Sequence, residues 1–364
     1  MSQLLEPLTF PFGPQMKNRF ALAPLTNRQS HEDGVLSDEE YRWLTMRAQG
    51  GFGLTMTCAA HVQAVGKGFS GQLGIWSDQH IDGLSRLADG IRSHGSLAVV
   101  QLHHAGMRSP KELVGGAPVA PSEHHESGAR GLSHGEVKQV VEAFIVAAER
   151  AEEAGFDGVE LHGAHAYLLC QFFSAEVNRR DDEYGGSLAN RYRILFEIIA
   201  GVRQRCRADF LLGVRLSPER FGIRLAEAIE MAQRLMTEDQ LDFLDVSLWD
   251  VFKEPDEADY QGRSLMSYFT ELDRRQTRLG VAGKIRTPQE AEATLAAGVD
   301  WIMLGRAAIL QHDFPNRYQK DPAFKPVELP VSPEYLDAEG VSDNFVTYLR
   351  RWPGFVADSD ERPT

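Results

Sequence analysis

Asp157-Gly158-Val159-Glu160-Leu161-His162-Gly163-Ala164-His165-Ala166-Tyr167 is the stretch from which the fold of this chain can be read. A short apolar run bounded by glycine has the length of a buried strand. It closes on two histidines three apart, with a tyrosine two residues beyond the second. Where strands and helices alternate, the C-terminal strand ends face a shared pocket. Two imidazoles can each donate an N–H to one oxygen, and a phenol can deliver a proton. Such a set could polarise a carbonyl while protonating a neighbouring carbon. Two satisfied structural histidines at a strand end would account for the same letters.

Outward from this stretch the alternation continues. Apolar runs predict strands over 19–26, 52–62, 97–104, 158–165, 210–217, 241–249, 280–285 and 301–306. Helical periodicity fills the gaps. The clearest case is 135–154, striped by Val137, Val140, Val141, Phe144, Ile145, Ala148 and Ala151, with Ser133 and Glu136 as a capping box and Gly155 beyond its end. A second runs over 288–297, with Thr287 as N-cap, Pro288 at the first position and Glu290 at the third. Eight strand–helix units predict a single α/β domain, a (β/α)8 TIM barrel. Its core spans residues 19–311, with a 312–364 extension. Ahead of the first strand, 8–18 reads as a short hairpin. The 106–133 stretch, rich in Gly, Pro, Ser and His, is a long loop of the kind that usually binds or covers a ligand.

Composition narrows the partners. The chain has 364 residues, 43% of them hydrophobic, enough for one large core. Lys and Arg number 38 against 52 Asp and Glu, a net charge of −14 that argues against nucleic acid and anionic membrane as partners. Cys58, Cys170 and Cys206 form no C-x-x-C, so neither a disulfide framework nor a cysteine-held zinc or iron–sulfur centre is expected. No apolar run approaches membrane-spanning length, and no basic-then-apolar leader opens the chain. A soluble cytoplasmic protein acting on a small molecule is expected, with no metal.

On this fold the loops after strands seven and eight form a recurrent phosphate site. Gly283 and Gly305 fall there and let a backbone approach closely, and Arg306 adds a charge-assisted donor. A turn with a surface arginine would read the same way. Gln101 and Arg215 fall at buried strand ends, where unpaired burial costs roughly 1–3 kcal/mol for a neutral group and more for a charge. A flat heterocycle with carbonyl and imide edges would satisfy both, and a flavin fits. Arg215 could equally face an unseen carboxylate. No G-x-G-x-x-G or P-loop pattern occurs, so a nicotinamide would bind transiently.

Taken together, several segments resemble the Old Yellow Enzyme family of FMN-dependent ene-reductases. They are Lys17-Asn18-Arg19-Phe20-Ala21-Leu22-Ala23-Pro24-Leu25-Thr26, Leu73–Asp78, Gln101–Gly106, the His162–Tyr167 box, Asn178–Arg191 with its Asp-Glu-Tyr-Gly-Gly-Ser run, and Gly305-Arg306. The resemblance implies that His162 and His165 bind the carbonyl or nitro oxygen of the substrate and that Tyr167 donates the proton. It implies FMN contacts from Pro24, Leu25, Thr26, Ala59, Gln101, Arg215, Gly283, Gly305 and Arg306. NADPH or NADH would reduce the flavin, which would then pass a hydride to the β-carbon of an activated alkene. Thr26 stands where one branch has Cys, Arg28 where that branch often has Tyr, and Ala166 where Gly is usual. His104 adds an imidazole near the rim. Tyr348-Leu349-Arg350-Arg351-Trp352 resembles a tail through which some members insert an arginine into a neighbouring subunit, which implies a homodimer or larger assembly. Reduction of nitro compounds or nitrate esters, or a non-catalytic flavin protein, would fit the same residues. A metal-dependent hydrolase using His103, His104, His162 and His165 would need an H-x-H at the first strand, where Ala-Pro-Leu-Thr stands.

Overall fold

The computed structural model describes residues 2–357. Eight parallel strands close into a barrel: β1 (Phe20–Leu22), β2 (Leu54–His61), β3 (Leu97–His103), β4 (Gly158–Gly163), β5 (Leu211–Leu216), β6 (Phe243–Ser247), β7 (Arg278–Ala282) and β8 (Trp301–Leu304). Each strand pairs with its sequence neighbours, and β8 pairs back onto β1 through Phe20–Ile302, Ala21–Met303 and Leu22–Leu304. Parallel neighbours require a crossover. Helices α1 (Asp38–Gln49), α2 (Ile81–Arg92), α3 (His134–Glu153), α4 (Leu188–Arg205), α5 (Leu225–Thr237), α6 (Ser267–Thr270), α7 (Pro288–Ala296) and α8 (Arg306–Leu310) follow the eight strands in turn. This is the (β/α)8 barrel that the alternation predicts.

Local chemistry sets the element ends. Ser133 and Glu136 form a complete capping box on α3, as do Thr287 and Glu290 on α7. The strands are shorter than the apolar runs. β1 ends at Leu22 instead of running to 26, because Pro24 has no N–H to give a ladder. β4 ends at Gly163 because His165 and Ala166 take left-handed backbone, φ 60° and 58°. His165 therefore belongs to a turn, not to the strand. A bulge in β2 places two residues between Met56, opposite Val99, and Ala59, opposite Gln101.

The 8–18 segment is pinned by reciprocal 2.9 Å bonds between Leu8 and Met16. It plugs the N-terminal end of the barrel, where the Phe12 and Gly13 N–H groups donate to Asp242 at 2.9 and 3.0 Å and Phe10 packs on Phe243. Leu54, Met56, Leu211, Phe243 and Trp301 fill the lower interior. The mouth at the C-terminal strand ends stays open.

The extension adds α9 (Phe314–Lys320), α10 (Pro333–Ala338) and α11 (Asp343–Leu349). Phe345 packs edge-on against Trp43 of α1, centroids 5.1 Å apart. No helix among the described residues is long and apolar enough to cross a membrane.

Candidate active site

The open mouth holds a cavity of about 510 Å³, within the usual range for small-molecule sites. Of the residues singled out from sequence, Pro24, Leu25, Thr26, His165, Tyr167, Arg215, Gly283, Gly305 and Arg306 line it. Ala59, Gln101 and His162 lie deeper, buried behind that lining. Ser247, Trp249, Arg108 and Arg286 also line the cavity, as do Tyr348 and Trp352 from the tail. No local pattern marks Ser247, Trp249, Arg108 or Arg286, since chain segments far apart bring them there, whereas Tyr348 and Trp352 belong to the tail motif that the sequence already singles out.

The aromatic cluster at the end of β4 is compact. The His162 ring lies 5.1 Å from His165 and 5.2 Å from Tyr167, centroid to centroid. His165 is oriented by its backbone N–H on Ser217 Oγ at 3.0 Å and by Nε2 against Ser247 Oγ at 2.8 Å. His162 Nδ1 is buried without a partner among the described residues. Burial, then the neighbouring imidazoles, holds His162 well below the ordinary histidine range. Burial, then the Arg215 and Arg108 charges, depresses His165 to about 3. Both rings are therefore neutral N–H donors at physiological pH. Tyr167 is the N-cap of the short helix Leu168–Phe173. The Asn178–Arg191 run braces that helix from behind. Asn178 Nδ2 donates to the Phe172 and Tyr184 carbonyls, both at 2.7 Å, and Arg191 reaches the Phe173 carbonyl and Glu227.

His103, not His104, meets this cluster, its ring 4.3 Å from Tyr167 and edge-on. Gln72 donates its amide to His103 Nδ1 at 3.1 Å while its Oε1 accepts from Gly68 at 2.6 Å, which leaves the proton on His103 Nε2. That Nε2 is likewise buried without a partner among the described residues. His104 points away and accepts the Gly106 N–H on Nδ1 at 3.0 Å.

Below the cluster lies a buried charge network that the sequence left partly open. Arg215 Nε stands 3.0 Å from Asp245 Oδ2, an ion pair without good hydrogen-bond alignment. Asp245 is thus the carboxylate that Arg215 could face, set opposite it by the β5–β6 register. Gln101 Nε2 donates to Glu160 Oε1 at 2.7 Å across the β3–β4 pairing. Burial, then the Asp245 charge, raises Glu160 to about 8. Burial raises Asp245 to about 6, less than Glu160 because Arg215 beside it opposes the shift, so at neutral pH Asp245 is ionised and Glu160 holds its proton.

These residues fit FMN. Among the described residues Gln101 Oε1 has no partner, Arg215 lines the cavity floor, and Arg286 and Arg306 bring two cations to the ends of β7 and β8. Gly283 lines the cavity and answers a second need as well. A Cβ there would meet the Asp250 backbone N at 2.8 Å, so glycine is required by the loop after β6. Arg28, with φ 60°, stands outside the lining, and so does the exposed Arg350.

A barrel whose strand ends gather neutral imidazoles, a phenol and an arginine-floored cavity has the groups that a flavin-dependent oxidoreductase uses. Residues 3–323 match the model of the NADH:flavin oxidoreductase / NADH oxidase family, and the chain belongs to that family, which includes the old yellow enzymes. It is 37% identical over 318 residues to the probable NADH-dependent flavin oxidoreductase YqiG of Bacillus subtilis, covering 84% of this chain and 85% of that one. It is 36% identical over 320 residues to an NADPH dehydrogenase of Geobacillus, covering 85% and 92%. Among solved structures, the old yellow enzyme homologue from Zymomonas mobilis superposes with a TM-score of 0.79 at 28% identity, over 94% of this chain and 99% of that one. The chain is an NAD(P)H-dependent flavin oxidoreductase whose cofactor is FMN.

Proposed function

We propose that this protein is an ene-reductase acting on α,β-unsaturated carbonyl or nitro compounds, with the whole chain working as one FMN-binding unit. The observation that carries the reading is the convergence of His162, His165 and Tyr167 at one end of the cavity that Arg215 floors. When bound, FMN supplies hydride transfer from reduced nicotinamide to the acceptor. His162 and His165, kept neutral by burial, donate N–H bonds to the activating oxygen and draw electron density from the β-carbon. Tyr167 holds the proton that its hydroxyl gives to the α-carbon. Arg215, paired with Asp245, would offer the bound cofactor a fixed positive charge. Pro24, Leu25, Thr26, Ala59, Gln101, Gly283, Gly305 and Arg306 complete the cofactor's cradle. A homo-oligomer through the tail belongs to the same proposal, supported by an Arg350 that is exposed and outside its own cavity. Three free thiols support a reducing, cytoplasmic setting. The test is anaerobic absorption spectroscopy of the FMN-loaded protein. Addition of NADPH or NADH should bleach the yellow colour, and 2-cyclohexenone should restore it. Bleaching without recovery would remove the ene-reductase reading and leave the flavin oxidoreductase.

A further inference from the structure

The cavity has an electrical character opposite to that of the molecule. The chain carries a net charge of −14, yet among the described residues the lining holds Arg108, Arg215, Lys284, Arg286 and Arg306 and no Asp or Glu. Four of these cations have an evident task. Arg215 is paired with Asp245, and Lys284 lies 3.2 Å from Asp250. Arg286 and Arg306 follow β7 and β8, where the fold binds phosphate.

Arg108 is left over. It follows β3, and around the eight-strand ring β3 and β4 stand across from β7 and β8, so Arg108 faces the phosphate end from the far side of the mouth. Its guanidinium carbon lies 4.7 Å from the centre of the Tyr167 ring. Nη1 donates to the His165 carbonyl at 2.6 Å. Arg108 is exposed at the mouth, and among the described residues its Nε and Nη2, which face solvent, make no hydrogen bond and no carboxylate pairs with the group. The turn that carries it is fixed at several points. The Met107 N–H donates to Gln171 Oε1 at 3.2 Å, and the same buried amide donates to the Ala105 carbonyl at 3.2 Å and the Ala166 carbonyl at 2.7 Å. Gln171 thus clamps the Arg108 turn to the Tyr167 turn. A cation so held, with two donors free in a planar fork, is suited to a carboxylate.

We infer that Arg108 is a specificity residue that binds a carboxylate on the substrate, and that the preferred acceptors are activated alkenes bearing a carboxylate besides their activating carbonyl. The inference rests on the ene-reductase reading of the same site. The His162–His165 pair takes the activating oxygen, and Arg108 takes the second, anionic end. The shared chemistry is anion binding, and the nicotinamide dinucleotide's own phosphates are the other source of it.

The test compares (E)-4-oxopent-2-enoate with its methyl ester, in the wild-type holoenzyme and in Arg108→Gln and Arg108→Lys, with NADPH and NADH reduction of the flavin measured separately. The wild type should prefer the acid. Arg108→Gln should lower the acid-to-ester ratio of kcat/KM by about 10- to 100-fold, the range of a charged hydrogen-bonded contact, and Arg108→Lys should restore part of it. An unchanged ratio, even with both activities reduced, would make Arg108 a support for Tyr167 and His165 and overturn the inference. A loss confined to the NADPH half-reaction with the ratio intact would move the anion to the dinucleotide and overturn it equally. A wild type that reduces neither compound would defeat the ene-reductase reading itself, whereas reduction of both without preference would defeat the inference alone.

Discussion

Asp245 illustrates how a single side chain carries the site's electrostatics. It is fully buried, Arg215 beside it is nearly so, and the two are 3.0 Å apart. Removing one partner of a buried ion pair leaves an uncompensated charge, a loss of about 3–5 kcal/mol. Asp245→Asn should therefore lower the unfolding free energy by about that amount, read by urea denaturation of the apoprotein. A loss below 1 kcal/mol, within what an ordinary surface substitution does, would mean that water or another group already serves Arg215. The His162, His165 and Tyr167 set was legible because three chemistry-bearing residues lie within six positions at the end of an apolar run. Asp245 and Glu160 were not, since both sit inside strands whose letters read as ordinary barrel lining. Their meaning comes only from cross-strand register, Arg215 against Asp245 and Gln101 against Glu160.

At the scale of elements, the barrel's alternation was readable because helix and strand periods differ and because capping residues mark helix starts. The α3 box at Ser133 and Glu136 is a case in which sequence and structure agree to within a residue. Strand ends were overextended, since apolar composition continues past the last ladder bond. Pro24 and the left-handed pair at His165 and Ala166 stop the strands earlier. The loop after β3 was recognisable as a binding loop from its length and composition. Its working part, the Gly106–Arg108 turn, depends on Gln171, more than 60 residues away. The tail's resemblance implies an arginine reaching outward. The described structure turns Tyr348 and Trp352 inward onto the chain's own cavity, with Trp352 5.0 Å from the Arg306 guanidinium.

For the whole molecule, the buried histidines set its response to acid. Burial depresses His61 to about 4 and His104 and His165 to about 3, against an ordinary value of 6.5. The unfolded chain takes up protons from about pH 6.5 downward that the folded protein refuses until pH 4 to 3. The stability these groups contribute is thus full above 6.5 and is lost as pH falls through that window, at about 1.4 kcal/mol per pH unit for each. Three such groups lose about 4 kcal/mol per unit, comparable with the whole stability of a domain within two or three units. Glu160 has the opposite sign, since its folded value of about 8 lies above its unfolded one, so its contribution is present at low pH and fades toward pH 8. Circular dichroism against pH should show cooperative unfolding between about pH 5 and 4. Stability that stays level from pH 7 to 4.5 would mean that these imidazoles are not held neutral.

The central claim is that Tyr167 gives the proton while the histidine pair holds the oxygen, and it is tested most directly by stopped-flow measurement of Tyr167→Phe. Loss of a general acid costs typically about 10²–10⁴ in rate. The variant should keep its FMN and be reduced by NADPH as fast as the wild type, while reoxidation by 2-cyclohexenone slows by that factor. Reoxidation at the wild-type rate would contradict the assignment of Tyr167 as proton donor. Slow reduction with normal reoxidation would place the tyrosine at the nicotinamide instead.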